Sequence, residues 1–232
     1  MTTEFTLRSE ATNGPRMTSF SSHNPLPRLT AASLAAGGAL GAAFVIVSRG
    51  EIVGALAMLS PRWMLAHNLH FASAALLLFG VVGLYLSHAS RMTLGGHFAF
   101  VLALLGTGFF FATGVLTSAV LPLIAGAAPG VVSKAGPLFT PTLPALIVSV
   151  LVFQLGWTAL GIVIGRAGLL PRWAGYTTAA GAALGLIPAK PFGSVPWVVL
   201  DAAWMIFAIG LLGIGMAGWQ TGGAPAPHRA PV

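Results

Sequence analysis

Cysteine is absent from this sequence, and charged residues are few. Since none of the 232 residues is Cys, disulfides, thiolate metal sites, iron–sulfur clusters and cysteine-based redox chemistry are excluded. Charged residues make up 6% of the chain, whereas soluble domains carry roughly 25%. So few charges do not cover a water-facing surface, and lipid must therefore be the solvent for much of this chain.

Acidic residues are the scarcest charged type. The chain has Asp+Glu 4, which is too few to favour a two-metal carboxylate enzyme. It also lacks the P-loop, the GxSxG elbow and the HExxH zinc motif. We therefore expect no recognisable catalytic machinery and no bound cofactor.

Long uncharged apolar runs dominate the rest of the chain, of which 56% is hydrophobic. Runs of roughly 18 residues or more are typical of transmembrane helices. Barrel strands would instead alternate apolar and polar residues over about ten positions, and these runs are apolar on every side. We predict an all-α polytopic transmembrane bundle of six spans, at about 29–48, 66–88, 97–124, 143–165, 173–189 and 196–218.

Polar segments flank the predicted membrane domain of residues 29–218. Residues 1–28 are rich in Ser, Thr, Asn and Pro, and they predict a disordered tail on a retained helix rather than a cleaved signal peptide. Residues 219–232 predict a second polar tail. The segment 51–59 is too short to span the membrane and is predicted to be interfacial or re-entrant. The alternative topology counts this segment as a further span.

The basic residues predict the orientation of the spans. The net charge is +7, but the positive residues are scattered singly, which does not favour nucleic acid binding. Cytoplasmic loops carry an excess of Lys and Arg. With both termini in the cytoplasm, the outer basic residues are Arg49, Arg62, Lys134 and Lys190, and the more numerous inner ones are Arg8, Arg16, Arg28, Arg91, Arg166, Arg172 and Arg229. This excess favours cytoplasmic termini.

Glycine and proline give weaker signals. GxxxG pairs allow close helix approach in membranes, and they occur at Gly37 and Gly41, Gly161 and Gly165, and Gly181 and Gly185. With 30 glycines in the chain, the pattern does not identify helix partners.

Prolines are predicted at span ends, where they terminate helices, and these are Pro122, Pro141, Pro144, Pro188, Pro191 and Pro196.

Two stretches resemble a known group of proteins. They are GIVIGRAGLLPRWAGYTTAAGAALGLIP (161–188) and FASAALLLFGVVGLYLSHASRMTLGGHFAFVLALLGTGFF (71–110). The LLPRWAG loop and the GLYL helix end resemble a broad group of small six-helix integral membrane proteins of bacteria, especially of the actinobacterial type. The resemblance covers residues 66–218 and implies the six-helix fold. It brings no established catalytic or binding residues.

Four ionisable residues are predicted near the outer ends of spans, and such residues suggest function because they are costly inside a membrane. They are Glu51, His67, His70 and Asp201. The i, i+3 spacing places His67 and His70 on one helix face. Two imidazoles with one or two carboxylates suit a divalent transition metal or a proton relay. The alternative is that all four lie in the membrane interface, where polar side chains cost little.

His88 and His97 form a second candidate pair at the inner ends of spans two and three. A bis-histidine haem takes imidazoles from two helices, which this pair supplies and His67 with His70 does not. The alternative is contact with lipid headgroups beside Arg91. Helical rise separates His70 from His88 by about 27 Å, which is close to the thickness of the hydrocarbon core of a bilayer. In the headgroup interpretation, the histidines therefore lie at the two surfaces of the membrane.

Gln154 is the remaining polar candidate, because it is placed deep in the fourth span. Its amide is predicted to hydrogen-bond a neighbouring helix. A role in a solute pathway is the alternative.

Three functional classes remain open. The first is a non-catalytic accessory, sensor or scaffold protein, which the scarcity of intramembrane charge favours. The second is a small transporter or channel with a polar outer vestibule of Glu51, His67, His70 and Asp201. The third is a membrane-embedded haem or metal protein. The expected surroundings are the lipid bilayer of a bacterial cytoplasmic membrane, with other membrane proteins or a second copy of the chain as partners to consider, and no nucleic acid.

Overall fold

The computed structural model describes residues 25–49, 54–133, 136–168, 170–187 and 197–221. Regular structure in these ranges is entirely helical, as predicted. A 3₁₀ turn (Ala89–Arg91) follows α3, and a π-helical turn (Leu116–Val120) joins α4 to α5. The helices are α1 (Leu26–Ser48), α2 (Ala55–Met58), α3 (Pro61–His88), α4 (Leu94–Val115), α5 (Leu121–Ala127), α6 (Phe139–Ala167), α7 (Arg172–Leu184) and α8 (Trp197–Thr221).

The six longer helices of the described chain form a closed ring. Neighbours follow the order α1, α3, α4, α6, α7 and α8, and α8 packs against α1. Each helix runs antiparallel to the next, so α1 ends beside the start of α8. We call the end of the ring where α1 begins and α8 ends the proximal end. The opposite end, where α1 ends and α8 begins, is the distal end.

Five helical stretches in the described ranges are long and apolar enough to cross a membrane. Side chains such as Phe79 and Phe98 stand out from the ring, 73% and 70% exposed, as expected of a lipid-facing surface. The chain is therefore a multi-pass membrane helix bundle. The five stretches are Leu26–Ser48, Pro61–Arg91, Leu94–Ala127, Pro144–Ala167 and Val198–Gln220.

The helix α7 is shorter than the predicted fifth span. It has 13 residues, which at 1.5 Å per residue is about 20 Å, whereas the hydrocarbon core is about 30 Å thick. The prediction extended to residue 189, and residues 188–196 lie outside the described ranges. Even so, α7 packs between α6 and α8 as a member of the ring. A sixth span therefore stays a prediction.

Helix ends differ from the predicted ones by a few residues. The first helix begins at Leu26, inside the predicted tail of residues 1–28, and the last continues to Thr221. The helix α3 begins at Pro61, because the Ser60 hydroxyl accepts from the backbone N–H of Trp63 at 3.2 Å and proline suits a first helical position. Within the segment 51–59, the described structure is the four-residue α2, which is too short to span.

The prediction that all these prolines lie at span ends is wrong for two of them. The helix α6 begins at Phe139, so Pro144 lies inside it. Pro122 lies inside the continuous helical stretch Leu94–Ala127. Pro141 lies in the first turn of α6, where proline is tolerated because the first N–H groups have no intrahelical partner. Pro188, Pro191 and Pro196 lie outside the described ranges.

The π turn explains how the helix continues past Pro122. In this turn the N–H of Leu121 bonds to the carbonyl oxygen of Leu116, five residues earlier. The same register would pair the carbonyl of Thr117 with residue 122, where proline has no N–H. The Thr117 carbonyl therefore needs a partner from outside its own helix.

Glycine permits the closest contacts between ring neighbours. A Cβ added to Gly156 of α6 would lie 2.6 Å from the Cα of Ala103 on α4. A Cβ on Gly161 would lie 2.7 Å from the backbone nitrogen of Ala179 on α7. Close backbone packing of this kind holds membrane helices together, since lipid is as apolar as their side chains. Contacts between helices involve every predicted GxxxG pair, namely Gly37 and Gly41, Gly161 and Gly165, and Gly181 and Gly185.

Aromatic side chains fill the centre of the ring. The ring centroid of Phe110 lies 4.5 Å from that of Phe153 and 5.4 Å from that of Trp204. The buried Trp157 donates its indole N–H to the Thr107 hydroxyl at 3.0 Å. These contacts join α4, α6 and α8 across the ring. We call this group the central aromatic cluster, consisting of Phe110, Phe153, Trp157, Trp204 and Phe207.

A smaller apolar core lies at the distal end. It joins α2, the start of α3, α5 and the loop that follows α5. Met58 and Val132 are fully buried in it. We call this group the distal cap, consisting of Met58, Trp63, Leu121, Ala125 and Val132.

Candidate functional site

His67 and His70 lie in the distal half of the ring, on the face of α3 that is turned inward. They are 8% and 6% exposed, and their ring centroids are 6.3 Å apart. The i, i+3 spacing thus places both side chains on one helix face, as expected. Their burial differs from the interfacial interpretation, in which the rings would contact water or lipid headgroups.

Aromatic rings enclose both histidines. The ring centroid of His70 lies 4.1 Å from that of Phe110 and 4.9 Å from that of Phe44, with the Phe44 ring stacked on it. The ring centroid of His67 lies 4.0 Å from that of Trp63. Through Phe110 the histidine pair is continuous with the central aromatic cluster.

The imidazole of His70 is a buried polar group without an ordinary hydrogen bond among the described residues. Both ring nitrogens are buried and have no hydrogen-bond partner of ordinary geometry among the described residues, although the imidazole interacts with the backbone of Phe110. A buried polar group without a hydrogen bond costs about 1–3 kcal/mol by mutational data. Such a group suggests either a functional role or a partner that binds there.

Asp201 pairs with Arg49 at the distal end. The Asp201 Oδ2 lies 3.1 Å from the Arg49 Nε, and the two side chains are 21% and 56% exposed. The second oxygen, Oδ1, is buried without a hydrogen-bond partner among the described residues. Arg62 at the start of α3 donates to the carbonyl of Val47 at 2.7 Å and to the carbonyl of Arg49. Two arginines thus connect the distal ends of α1, α3 and α8.

The predicted four-residue vestibule is not assembled as a metal site by the described residues. Within the described ranges, no three His, Cys, Asp or Glu side chains come together in a group that could hold a metal ion. Asp201 is occupied by Arg49. Glu51 lies outside the described ranges.

Trp63 belongs to this site, although the sequence did not single it out. Its indole N–H donates to the carbonyl oxygen of Thr117 at 3.0 Å. This is the carbonyl that the π turn and Pro122 leave without an intrahelical partner. The same indole lies against His67 and so forms the distal wall of the histidine pair. The sequence offers one clue, which is a proline five residues after a threonine inside a long apolar run.

His88 and His97 are both at the proximal end but have separate partners. The His88 Nδ1 lies 3.0 Å from the carbonyl oxygen of Leu84, one turn earlier in α3. The His97 Nδ1 hydrogen-bonds the Tyr85 hydroxyl at 3.1 Å. The bond between His97 and Tyr85 ties the end of α3 to the start of α4. The two imidazoles thus act in structural contacts, which gives the haem interpretation no support.

Gln154 is buried where α6 meets α7 and α8. Its amide lies directly against Gly185, where a Cβ would collide with it. It also borders a gap beside Phe153 and Trp204 that has no room for a water molecule. The Gln154 side chain therefore packs between helices, and the hydrogen bond from its amide to a neighbouring helix stays a prediction.

No protein-family model, no curated protein and no solved structure matches this chain. Function is therefore inferred from the geometry of the described residues.

Proposed function

We propose that this chain is a six-span protein of the bacterial cytoplasmic membrane that acts as a non-catalytic accessory or sensor component. Both termini lie in the cytoplasm, so the proximal end of the ring is cytoplasmic and the distal end faces outward. The chain works in the lipid bilayer, with other membrane proteins or further copies of itself as partners.

The central aromatic cluster is the observation that carries this proposal. A transport pathway needs a polar passage through the ring. Here the rings of Phe110, Phe153 and Trp204 meet at centroid distances of 4.5 to 5.8 Å. The neighbouring gap has no space for water. A filled centre favours a role in binding or sensing over a role in conduction.

The ring order supports six crossings. Residues from the start of α1 and the end of α8, such as Pro27 and Gly218, line the same proximal cavity. Helix ends on the same side of a membrane require an even number of crossings, so five spans alone would not suffice. The helix α7 supplies the sixth crossing, and its short length is accommodated by local bilayer thinning.

Labelling of single cysteines tests the orientation, since the natural chain has no cysteine to remove. Ser90→Cys places a thiol at the exposed proximal turn, and Gly130→Cys places one in the exposed distal loop. In intact cells a membrane-impermeant maleimide should label Gly130→Cys, and it should label Ser90→Cys only after the cells are opened. Labelling of Ser90→Cys in intact cells would reverse the proposed orientation.

Flux measurement tests the accessory role. Proteoliposomes that enclose a pH-sensitive dye should lose an imposed pH gradient as slowly as protein-free liposomes. Proton flux well above that baseline would reject the accessory role.

A small proton-coupled transporter is the second candidate function. The unpaired nitrogens of His70 and the unpaired Oδ1 of Asp201 favour it, because both are costly polar groups in the distal half of the bundle. In that case His70→Phe and Asp201→Asn each abolish flux, whereas His88→Gln at the proximal end does not. An absorbance spectrum without a Soret band removes the remaining haem alternative.

A further inference from the structure

A small cavity lies at the proximal end between α1, α3 and α8. Its volume is about 40 Å³, and roughly 10–15 Å³ on this measure holds one water molecule. The cavity therefore has room for a group about the size of three waters. Its lining is amphipathic, with the buried apolar side chains of Leu34, Leu84 and Ile214 and the polar side chains of Thr30, Ser87 and His88.

Thr30 contributes an unsatisfied polar atom to this cavity. The residue is 8% exposed, and its hydroxyl oxygen is buried without a hydrogen-bond partner among the described residues. Gly83 on α3 makes space for this hydroxyl, because a Cβ there would collide with it. An unpaired buried hydroxyl destabilises the lipid-free protein.

Hydrogen bonds position the other two polar side chains. The Ser87 hydroxyl donates to the carbonyl of Gly83 at 2.8 Å. The His88 Nδ1 lies 3.0 Å from the carbonyl of Leu84. The latter bond leaves the Nε2 of His88 unused, so the imidazole has a second nitrogen for a ligand.

The proximal end of the ring, where this cavity lies, carries positive charge without an acidic counterpart in the described ranges. Arg28 directly follows the lining residue Pro27, and its guanidinium lies 5.9 Å from the Trp219 ring centroid. The acidic residue of the described ranges is Asp201, at the distal end. The exposed arginines of the proximal end are Arg28, Arg91, Arg166 and Arg172.

We propose that this proximal cavity binds the phosphate group of an anionic phospholipid. The Thr30 hydroxyl, the His88 imidazole and the Arg28 guanidinium supply the polar contacts. The glycerol and the acyl chains lie outside the cavity, in the surrounding bilayer. The inference rests on the chain being embedded in a bilayer and is independent of the accessory role proposed above.

The location favours a lipid over a soluble phosphate compound. The cavity lies where apolar spans end, which is the depth of the headgroups. Arginine beside tryptophan is typical of side chains that lie at this depth. Basic pockets between transmembrane helices on the cytoplasmic side bind anionic headgroups.

Native mass spectrometry of the detergent-purified full chain tests the site. Dioleoylphosphatidylglycerol should bind as one retained molecule, about tenfold more tightly than dioleoylphosphatidylcholine. Arg28→Gln should weaken this binding by about tenfold, because it removes a charge-assisted hydrogen bond. Arg62→Gln is the matched control, since it removes an exposed arginine at the distal end, and it should leave the affinity unchanged.

Thr30→Val separates a ligand contact from a structural role. Valine keeps the β-branched shape and removes the hydroxyl. The variant should raise the thermal stability of the lipid-free protein and weaken phosphatidylglycerol binding several-fold. A purely structural threonine would not move these two quantities in opposite directions.

Three results would overturn the proposal. The first is equal affinity for the two lipids, and the second is unchanged phosphatidylglycerol affinity in both Arg28→Gln and Thr30→Val. The third is displacement of the lipid by millimolar glycerol 3-phosphate, which would assign the site to a soluble phosphate. Failure of the flux or labelling predictions would leave this lipid assay unaffected, so the two proposals are tested separately.

Discussion

The indole N–H of Trp63 donates a hydrogen bond to the carbonyl oxygen of Thr117 across 3.0 Å. The bond joins the start of α3 to the π turn after α4, and it satisfies the carbonyl that Pro122 cannot pair. The Trp63 ring also lies 4.0 Å, centroid to centroid, from His67. One side chain thus completes the hydrogen bonding of the π turn and covers the histidine pair.

Trp63→Phe should lower the free energy of unfolding by about 1–2 kcal/mol. Phenylalanine keeps an aromatic ring in the distal cap but leaves the carbonyl of the half-buried Thr117 without this partner. Thermal unfolding in detergent measures the change. Trp173→Phe is the control, since that ring is 55% exposed, and equal losses in both variants would show that the hydrogen bond contributes nothing.

Gly106 and Gly108 on α4 should respond oppositely to alanine. A Cβ on Gly106 would lie 2.5 Å from the backbone nitrogen of Phe153, whereas one on Gly108 would meet nothing within 4 Å. Gly106→Ala should therefore destabilise the bundle by about 1–3 kcal/mol or more through overpacking. Gly108→Ala should stabilise it by about 0.5–1 kcal/mol, because alanine is the better helix former. Similar melting temperatures for both variants would contradict the α4–α6 contact.

His70→Phe should preserve or raise thermal stability in detergent. The substitution removes ring nitrogens that have no ordinary hydrogen bond and keeps an aromatic ring between Phe44 and Phe110. His97→Phe is the comparison, because it removes the 3.1 Å hydrogen bond to Tyr85 and should cost about 1 kcal/mol. A large loss in His70→Phe would reveal a hydrogen-bond partner for that imidazole.

Arg49→Gln should have only a small effect on stability. The pair with Asp201 has an arginine that is 56% exposed, and exposed ion pairs contribute roughly 0–1 kcal/mol. The difference between variant and natural chain should shrink as salt is raised, because exposed charges are screened. A loss that is large and independent of salt would show that the pair is shielded from solvent.

Helix positions were predictable where length and apolarity decide them. The fourth predicted span, 143–165, lies within α6, which runs from Phe139 to Ala167. The helix begins before its predicted start, because prolines were expected at span ends, whereas Pro141 lies within the first turn of α6 and loses little hydrogen bonding there. The predicted start of span two, residue 66, is also too late, because α3 begins at Pro61.

The burial of His67 and His70 was not predictable from the sequence pattern. The sequence pattern does not show which face of a membrane helix turns inward, because lipid and the protein interior are equally apolar. The inward face of α3 is set by contacts with α1 and α4, and these depend on close approaches such as Gly37 to Leu77. The hydrogen bond between Trp63 and Thr117 was likewise not predictable from the sequence, because it joins residues 54 positions apart.

Contact between α1 and α8 has a consequence for the order of assembly in the cell. Synthesis delivers α1 first and α8 last, yet Gly38 of α1 packs directly against Leu211 of α8. Trp204 and Phe207, which fill the centre, also come from α8. The ring of described helices therefore cannot close before α8 has been synthesised and inserted.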